Sequence, residues 1–453
     1  MENNKRLKRT MIAIACTLGL AATEPVLAAN WIMIQGTEDP AASARAYVWG
    51  FVQAQYQKDF SDANPGPAGC AAGVTNCYVP PKVLGPNLDS QSQFNINRAR
   101  IGVRGTGFPI DSRINYFILT EFGNNDANKD NTATLMDASI TASYIPGARV
   151  RAGLFKYPGA EEGLQGIAVY DYINFTEVSN ALLLERFPNQ RDLLASDVKP
   201  AQALPMSANS LNGFDKGNGA FRDAGVQVFD AFDVKNDWEL SYAAMIGNGS
   251  GLSLSNSDGK YDTYLYLSAE KQMGGRGPKA EGLKFFAWSQ QGKRLLDDTI
   301  DAKYDPKMHD RNRAGLGVKY FNKPFRVTAE YIDAKGMIWE GPDKPDFKFA
   351  NVSGADAKAN GWYVEGGYFI PKTKWELDAR YDTVDLLKGT AAEHEFKKTT
   401  LGVQYHLNPK TRVTLDYEFR DFSCTAASTN CTAANKNLNG VGNKVGIQLT
   451  AIF

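Results

Sequence analysis

Histidine is scarce in this sequence, which has three among 453 residues. Histidine-centred catalysis or metal binding is therefore a poor first hypothesis. Net charge is also absent, because 50 Lys and Arg balance 50 Asp and Glu, and this balance argues against general nucleic-acid binding. The sequence contains no G-x-S-x-G, H-E-x-x-H or C-x-x-C-H motif. We therefore expect no enzymatic activity, no cofactor, no metal and no nucleic-acid partner.

Long apolar runs are missing as well, apart from one near the N-terminus. Four basic residues within 5–9 precede an apolar stretch over 11–22 and a small-residue cleavage pattern ending at Ala28. This order predicts a secretory signal peptide over 1–28. A retained anchor is the alternative, but the apolar stretch is shorter than the ~20 residues that span a bilayer.

The cysteines outside the signal are few and occur in two close pairs. Cys70 precedes Cys77, and Cys424 precedes Cys431. In an exported chain this spacing favours two disulfides that each close a short loop. A metal site is the alternative, but neither pair has the C-x-x-C spacing or a nearby histidine.

Aromatic residues and glycine are plentiful, with 20 Tyr, 24 Phe, 7 Trp and 42 Gly. Along much of the chain, apolar and polar residues alternate with a period of two, as in 98–104, 375–382 and 412–420. A helix would mix the two sets on one face, so the alternation indicates strands. Strands are predicted near 45–56, 94–105, 113–122, 133–144, 149–156, 222–232, 237–247, 261–272, 281–290, 313–321, 325–334, 361–370, 374–384, 397–407, 411–421 and 442–453.

The connections between these strands alternate between short turns and long loops. This asymmetry predicts an all-β fold, a transmembrane antiparallel β-barrel of about 16 strands with short periplasmic turns and long extracellular loops. A periplasmic β-sandwich is the alternative, but it needs no such asymmetry. The final strand ends on Phe453, which we interpret as a C-terminal insertion signal. We predict a periplasmic lead over 29–43 and a barrel over 44–453.

A barrel of this size leaves an aqueous channel, so the polar face of each strand is predicted to line the lumen. Late strands mix both signs of charge, whereas early strands carry mostly arginine, the side chain suited to oxyanions. The alternative is that these arginines pair with neighbouring carboxylates. The long third loop, 157–221, is predicted to fold inward, with Lys156 at the constriction. The predicted pore-lining residues are Arg98, Arg100, Arg104, Arg113, Arg149, Arg151, Lys156 and Arg380.

The chain resembles the phosphate-selective porins of O and P type in a co-linear series of segments. These are RARIGVRG at 98–105, EFG at 121–123, RVRAGLFKYP at 149–158, NGSG at 248–251, GWYV at 361–364, WEL at 375–377, TLGV at 400–403 and LNP at 407–409. The resemblance implies a homotrimer of sixteen-stranded barrels, each with an inward third loop and an arginine ladder that guides anions.

These observations predict an outer-membrane porin of a Gram-negative bacterium. We expect passive diffusion of small hydrophilic solutes, with a preference for anions such as phosphate. The expected partners are small anionic solutes, outer-membrane lipid and the barrel-insertion machinery. A general non-selective porin is the first alternative. A barrel enzyme or a structural sleeve is a less favoured one.

Overall fold

The computed structural model describes residues 30–34, 46–61, 88, 91–107, 109–125, 127–128, 133–184, 219–256, 258–275, 280–296, 307–341, 348–349, 357–390, 393–424 and 441–453. Within them, sixteen antiparallel strands form a closed barrel, which confirms the predicted fold class. The barrel strands are β1 Tyr47–Asp59, β2 Ser92–Gly107, β3 Asp111–Glu121, β4 Thr134–Ile145, β5 Ala148–Lys156, β6 Arg222–Val234, β7 Trp238–Gly247, β8 Asp262–Gly274, β9 Glu281–Leu296, β10 Lys307–Asn322, β11 Phe325–Lys335, β14 Lys358–Phe369, β15 Trp375–Leu386, β16 His394–Asn408, β17 Thr411–Cys424 and β18 Lys444–Ile452.

Helical structure is limited to short segments in the described residues. Two four-residue helices span Trp31–Ile34 and Glu161–Leu164, and turns of 3-10 and π type span Ile167–Val169 and Ser179–Leu183. A separate two-stranded sheet joins β12 Trp339–Gly341 to β13 Lys348–Phe349. No helix in the described segments is long and apolar enough to cross a membrane.

The barrel closes between its first and last strands. β1 pairs with β18, and every other barrel strand pairs with its neighbours along the chain. At the closure, Phe453 N donates to the Gly50 carbonyl at 2.9 Å, and Gly50 N donates to the Phe453 carbonyl at 3.1 Å. A Cβ at Gly50 would lie 2.4 Å from Phe453 Cζ, so glycine makes room for this ring. Closure removes the unpaired edges of the sheet.

All of the predicted strands occur, but β9 and β10 are longer than predicted. They were expected over 281–290 and 313–321, whereas their pairing continues to Leu296 and Lys307. The added hairpin carries Lys293 and Asp310, both about half exposed and 2.7 Å apart. Polar outward residues of this kind break the apolar alternation that reveals a lipid-facing strand.

The two faces of the wall differ as the alternation predicts, but some apolar residues also face the lumen. Outward residues such as Leu377 and Leu415 are exposed and apolar, while their neighbours Asp378 and Asp416 are buried in the interior. On β1 and β3, however, Trp49 and Phe117 turn inward and stack at 6.1 Å between ring centroids. The lumen is therefore polar only in part.

The described part of the third loop, 157–184, lies inside the barrel. Its apolar residues are buried and form one core cluster with lumen-facing residues of several strands. The apolar run 181–184 forms the end of the buried π-type turn and its C-cap residue. The hydrophobic core of this protein therefore lies between the third loop and the barrel wall.

Part of the predicted periplasmic lead, 29–43, also lies inside the barrel. Asn30, Trp31, Ile32 and Met33 are all buried, with no more than 5% of any side chain exposed. The predicted signal peptide lies outside the described residues. So do Cys70, Cys77 and Cys431, whereas Cys424 is described only as the last residue of β17. The two disulfides therefore remain predictions.

Candidate functional site

The late wall, defined as the lumen face of β11 and β14–β17, holds the third loop through Arg380. Its guanidinium donates to the Tyr170 hydroxyl at 2.8 Å and to the Asn174 carbonyl at 3.0 Å. It also lies 3.6 Å from the Glu162 carboxylate and 4.3 Å from the Tyr172 ring centroid. The side chain is buried. Arg380 thus anchors the loop, which differs from its predicted pore-lining role.

The Glu162 carboxylate is the central acceptor within the loop. It accepts hydrogen bonds from the Thr176 hydroxyl at 2.5 Å, from Thr176 N at 3.2 Å and from the Tyr170 hydroxyl. Burial, and next the charge of Glu162, raise the pKa of Tyr170 well above its usual value. Tyr170 therefore stays neutral, so it can donate to Glu162 while accepting from Arg380.

Other late-wall groups bind the loop in a similar way. Lys398 Nζ lies 2.7 Å from Glu177 Oε1. The Asp416 carboxylate accepts from Ile173 N at 2.7 Å, and the Asn174 amide donates to Glu418 at 2.8 Å. Charges on this wall are therefore matched by partners on the loop.

The N-terminal part of the loop is tied to β9 and β10. Glu161 lies 2.5 Å from Lys284 Nζ and 2.9 Å from Lys319 Nζ. Burial alone would raise the pKa of Glu161, but the two lysines outweigh it and lower the pKa to about 2. The carboxylate is therefore charged across the physiological range.

The early wall, defined as the lumen face of β1–β6, is different because it borders a small cavity of about 40 Å³. Cationic side chains line this cavity from three strands: Arg98 and Arg100 from β2, Lys156 from β5 and Arg222 from β6. One lining residue, Glu162, is acidic. The cavity lies toward the extracellular end, since loop residues Asn125 and Ala127 also line it.

Arg100 and Arg222 pair with carboxylates of the wall. Arg100 Nε lies 2.6 Å from Glu121, and an Arg222 guanidinium nitrogen lies 2.8 Å from Asp137. Both arginines still face the cavity.

Arg98 and Lys156 have different surroundings. Arg98 donates to the Gln53 side chain at 2.8 Å and lies 5.9 Å from the Phe175 ring centroid. Lys156 Nζ donates to the Gln165 carbonyl at 2.7 Å and to the Leu164 carbonyl at 3.4 Å. Within the described chain, Lys156 has neutral acceptors and no carboxylate in salt-bridge range.

The remaining early-wall arginines extend toward the periplasmic end. Arg151 is buried and lies 4.5 Å from the Phe229 ring centroid. Arg149 is 3.7 Å from Asp230, and Arg104 lies 5.6 Å from the Tyr47 ring centroid. These arginines continue the basic surface of the wall below the cavity.

Arg113 does not join them. It lies at the periplasmic turn with 55% of its side chain exposed, 3.0 Å from Asp111 and 4.5 Å from the Tyr144 ring centroid. The alternation of inward and outward residues assigned Arg113 to the lumen. It lies near the end of its strand, however, where the side chain can reach the rim of the barrel.

Sequence reasoning missed Arg222 as a cavity residue. It is the first residue of β6 and directly follows the third loop. The sequence did contain a signal for it. Lys156 ends β5 and Arg222 begins β6, so the two residues flank the third loop and pair with each other across the two strands.

Comparison with known proteins places the chain in a family. A sequence model of the Gram-negative porins matches residues 49–424. The chain belongs to the Gram-negative porins. It is therefore an outer-membrane protein that forms a channel for diffusion, as predicted. No curated protein sequence matches it.

Solved structures with the same fold are distant in sequence. The anion-selective porin from Comamonas acidovorans is 13% identical, with a TM-score of 0.52 over 90% of this porin and 99% of that chain. A loop L8 deletion mutant of OmpT, an outer membrane protein of Vibrio cholerae, is 12% identical, with a TM-score of 0.51 over 91% and 100%. Salmonella typhi OmpF is 13% identical, with a TM-score of 0.50 over 90% and 97%. These likenesses show the fold.

Proposed function

We propose that this porin prefers anions and conducts small oxyanions such as phosphate along its early wall. The observation that carries the proposal is the cavity between this wall and the third loop, lined by Arg98, Arg100, Lys156 and Arg222. Basic side chains lining a pore favour anions because the field is strong where water is limited.

The charge balance around the cavity supports an excess of positive charge. Glu121 and Asp137 pair with Arg100 and Arg222, and the acidic lining residue Glu162 is engaged by the loop and Arg380. Lys156 lies among these groups with carbonyl partners. We expect an anion in the cavity to stabilise the protonated form of Lys156, because the anion brings the compensating charge that the protein does not supply.

The arginines below the cavity support passage rather than tight binding. Arg151, Arg149 and Arg104 offer further planar donors along the same wall. An ion shared among several weak sites can enter and also leave, as conduction requires. Guanidinium groups suit oxyanions because their donors match two oxygens at once.

Phosphate selectivity, which the O and P type resemblance implies, is the finer form of this proposal. We also propose that the porin forms a homotrimer, that the insertion machinery recognises Phe453 and that the outer wall contacts outer-membrane lipid. A non-selective general porin is the second candidate. It is favoured by the carboxylates Glu121 and Asp137, which reduce the net charge of the wall.

Reversal potentials across a planar bilayer in a salt gradient test the proposal. Wild-type porin should show an anion-selective potential, and Arg98→Glu combined with Lys156→Glu should move it toward cation selectivity. The matched control is Arg113→Glu, a charge reversal at the exposed rim, which should leave it unchanged. A cation-selective wild type, or a double variant with the wild-type potential, would contradict the anion preference. Competition of chloride current by phosphate then tests the finer form.

A further inference from the structure

The N-terminal segment Asn30–Met33 lies in the periplasmic half of the lumen. The Asn30 amide donates to Glu239 Oε1 at 2.6 Å and to Ser241 Oγ at 2.5 Å. Both acceptors are lumen-facing residues of β7, just after its periplasmic turn. Two strands away on the same side of the wall, an Arg149 guanidinium nitrogen of β5 lies 3.6 Å from Met33 Sδ. The segment therefore occupies space through which a solute would leave.

Trp31 connects this segment to the third loop. A Cβ at Gly166 would lie 3.2 Å from Trp31 Cζ3, so the indole packs against the loop backbone. On its other side, Lys319 Nζ lies 6.0 Å from the Trp31 ring centroid. The side chain is 5% exposed, yet Trp31 Nε1 has no hydrogen-bond acceptor among the described residues. A buried donor without a partner is uncommon in proteins, which sets Trp31 apart from its surroundings.

Two cavities meet at a single loop residue. Besides the cationic cavity, a second cavity of about 40 Å³ is lined by Trp31, Asp171, Lys319 and Arg326, among others. Gln165 lines both cavities, and its carbonyl is the one that binds Lys156. Gln165 is thus the partition between the extracellular and periplasmic compartments of the lumen, and Trp31 lies on its periplasmic side.

We propose that Trp31 and Gln165 form the inner constriction of this porin, with the N-terminal segment as its periplasmic half. A solute leaving the cationic cavity passes Gln165 and then meets the indole ring of Trp31. Trp31 therefore limits conductance and solute size. This inference takes the preference for anions from the proposed function. The position of the constriction does not depend on that preference.

The attachment of the segment is weak enough for such a role. A helix of four residues has no stability of its own, so packing and side-chain contacts hold it in place. Its polar attachment to β7 depends on the single side chain of Asn30. Removing the segment breaks no strand pairing of the barrel.

Single-channel conductance of the full chain tests the constriction. Trp31→Ala, alone and combined with Asn30→Ala, should raise conductance by roughly twofold or more, because an apolar constriction limits wetting of the path. Trp31→Phe keeps a ring and should stay close to wild type, and Gln165→Ala should raise conductance. Trp362→Ala is the matched control, since this tryptophan is 42% exposed on the outer face. Heat-dependent migration of each variant on a gel checks that the barrel is folded.

Conductance and reversal potential separate the two proposals. Higher conductance for Trp31→Ala supports the constriction whichever sign the reversal potential has. Folded Trp31→Ala with wild-type conductance overturns it, as does an equal rise in Trp362→Ala. A cation-selective reversal potential overturns the anion preference alone.

Discussion

The two walls of the lumen carry the same types of basic side chain but use them differently. On the late wall, Arg380 and Lys398 are surrounded by carboxylates and carbonyls of the third loop. On the early wall, Lys156 and its neighbours border a cavity, and Arg100 and Arg222 pair with wall carboxylates. The late wall holds the loop through ion pairs, whereas the early wall contacts it through neutral acceptors such as the Gln165 carbonyl and keeps a basic surface at the cavity.

The difference shows that the number of arginines on a wall says little about its role. A buried cation with matched hydrogen-bond acceptors holds those acceptors in place, because losing one of them leaves a buried charge uncompensated. A cation that faces a cavity with fewer partners creates a field for a mobile ion. The partners of each side chain therefore decide between anchoring and conduction.

The largest expected effect is the loss of the anchor on the late wall. The Arg380 guanidinium lies within 3.6 Å of both the Glu162 and the Asp382 carboxylates, and Arg380→Ala removes this cation. Breaking a buried pair of this kind costs about 3–5 kcal/mol, because an uncompensated charge remains. We expect a lower urea midpoint and faster proteolysis of the third loop.

The matched variant for this test is Arg98→Ala on the early wall. It should shift the reversal potential while leaving proteolysis of the loop close to wild type. Equal destabilisation by the two variants would show that both walls anchor the loop and that the comparison between them is wrong.

The barrel was predictable because every lipid-facing strand must alternate and every backbone group must pair. Both constraints are local, so the period of two and the turn spacing marked all sixteen barrel strands. The extensions of β9 and β10 were missed because Lys293 and Asp310 stand outside the apolar band.

The roles of the lumen residues were harder to predict, because parity gives only the face of a strand. The alternation assigned Arg98, Lys156 and Arg380 the same pore-lining role, whereas in the structure Arg98 and Lys156 border the cavity and Arg380 binds the third loop. Which cation meets the loop depends on how 157–184 folds back, a long-range packing event with no periodic signal. The position of Asn30 and Trp31 inside the barrel was missed for the same reason.

The next largest effect should come from making the early wall more basic. Asp137→Asn removes the carboxylate that lies 2.8 Å from Arg222. If the free energy of an anion at the cavity, relative to that of a cation, becomes more favourable by ~1 kcal/mol, the ratio of anion to cation permeability should rise about fivefold. Asp382→Asn on the late wall is the control, and it should leave the reversal potential unchanged. An equal rise in both would show that the walls share one field.

A smaller effect is expected from acid on the link between Glu161 and the lysines of β9 and β10. The pKa of Glu161 is about 2 in the fold, below its value of about 4.3 in an unfolded chain. A depressed pKa contributes stability above the unfolded value, and that contribution is lost as pH falls toward the folded value. The melting temperatures of wild type and Glu161→Gln should therefore differ by a constant amount above about pH 5, and the difference should shrink progressively from about pH 4 to about pH 2. A difference that already shrinks between pH 7 and pH 5 would exclude the ion pair as its source.

The smallest effect should come from the basic residue that belongs to neither wall. Arg113 is on an early strand, and a count of arginines by parity would include it with Arg98 and Arg100. Its guanidinium is more than half exposed, is paired with Asp111 and lies over Tyr144, so solvent and salt screen its charge before it reaches the lumen. Arg113→Ala should therefore leave single-channel conductance and reversal potential unchanged at both low and high salt. A shift at low salt alone would mean that the rim contributes to the field at the mouth, whereas a shift at both would return Arg113 to the conducting wall. Its behaviour thus tests whether burial beside the cavity, rather than strand parity, selects the residues that an ion meets.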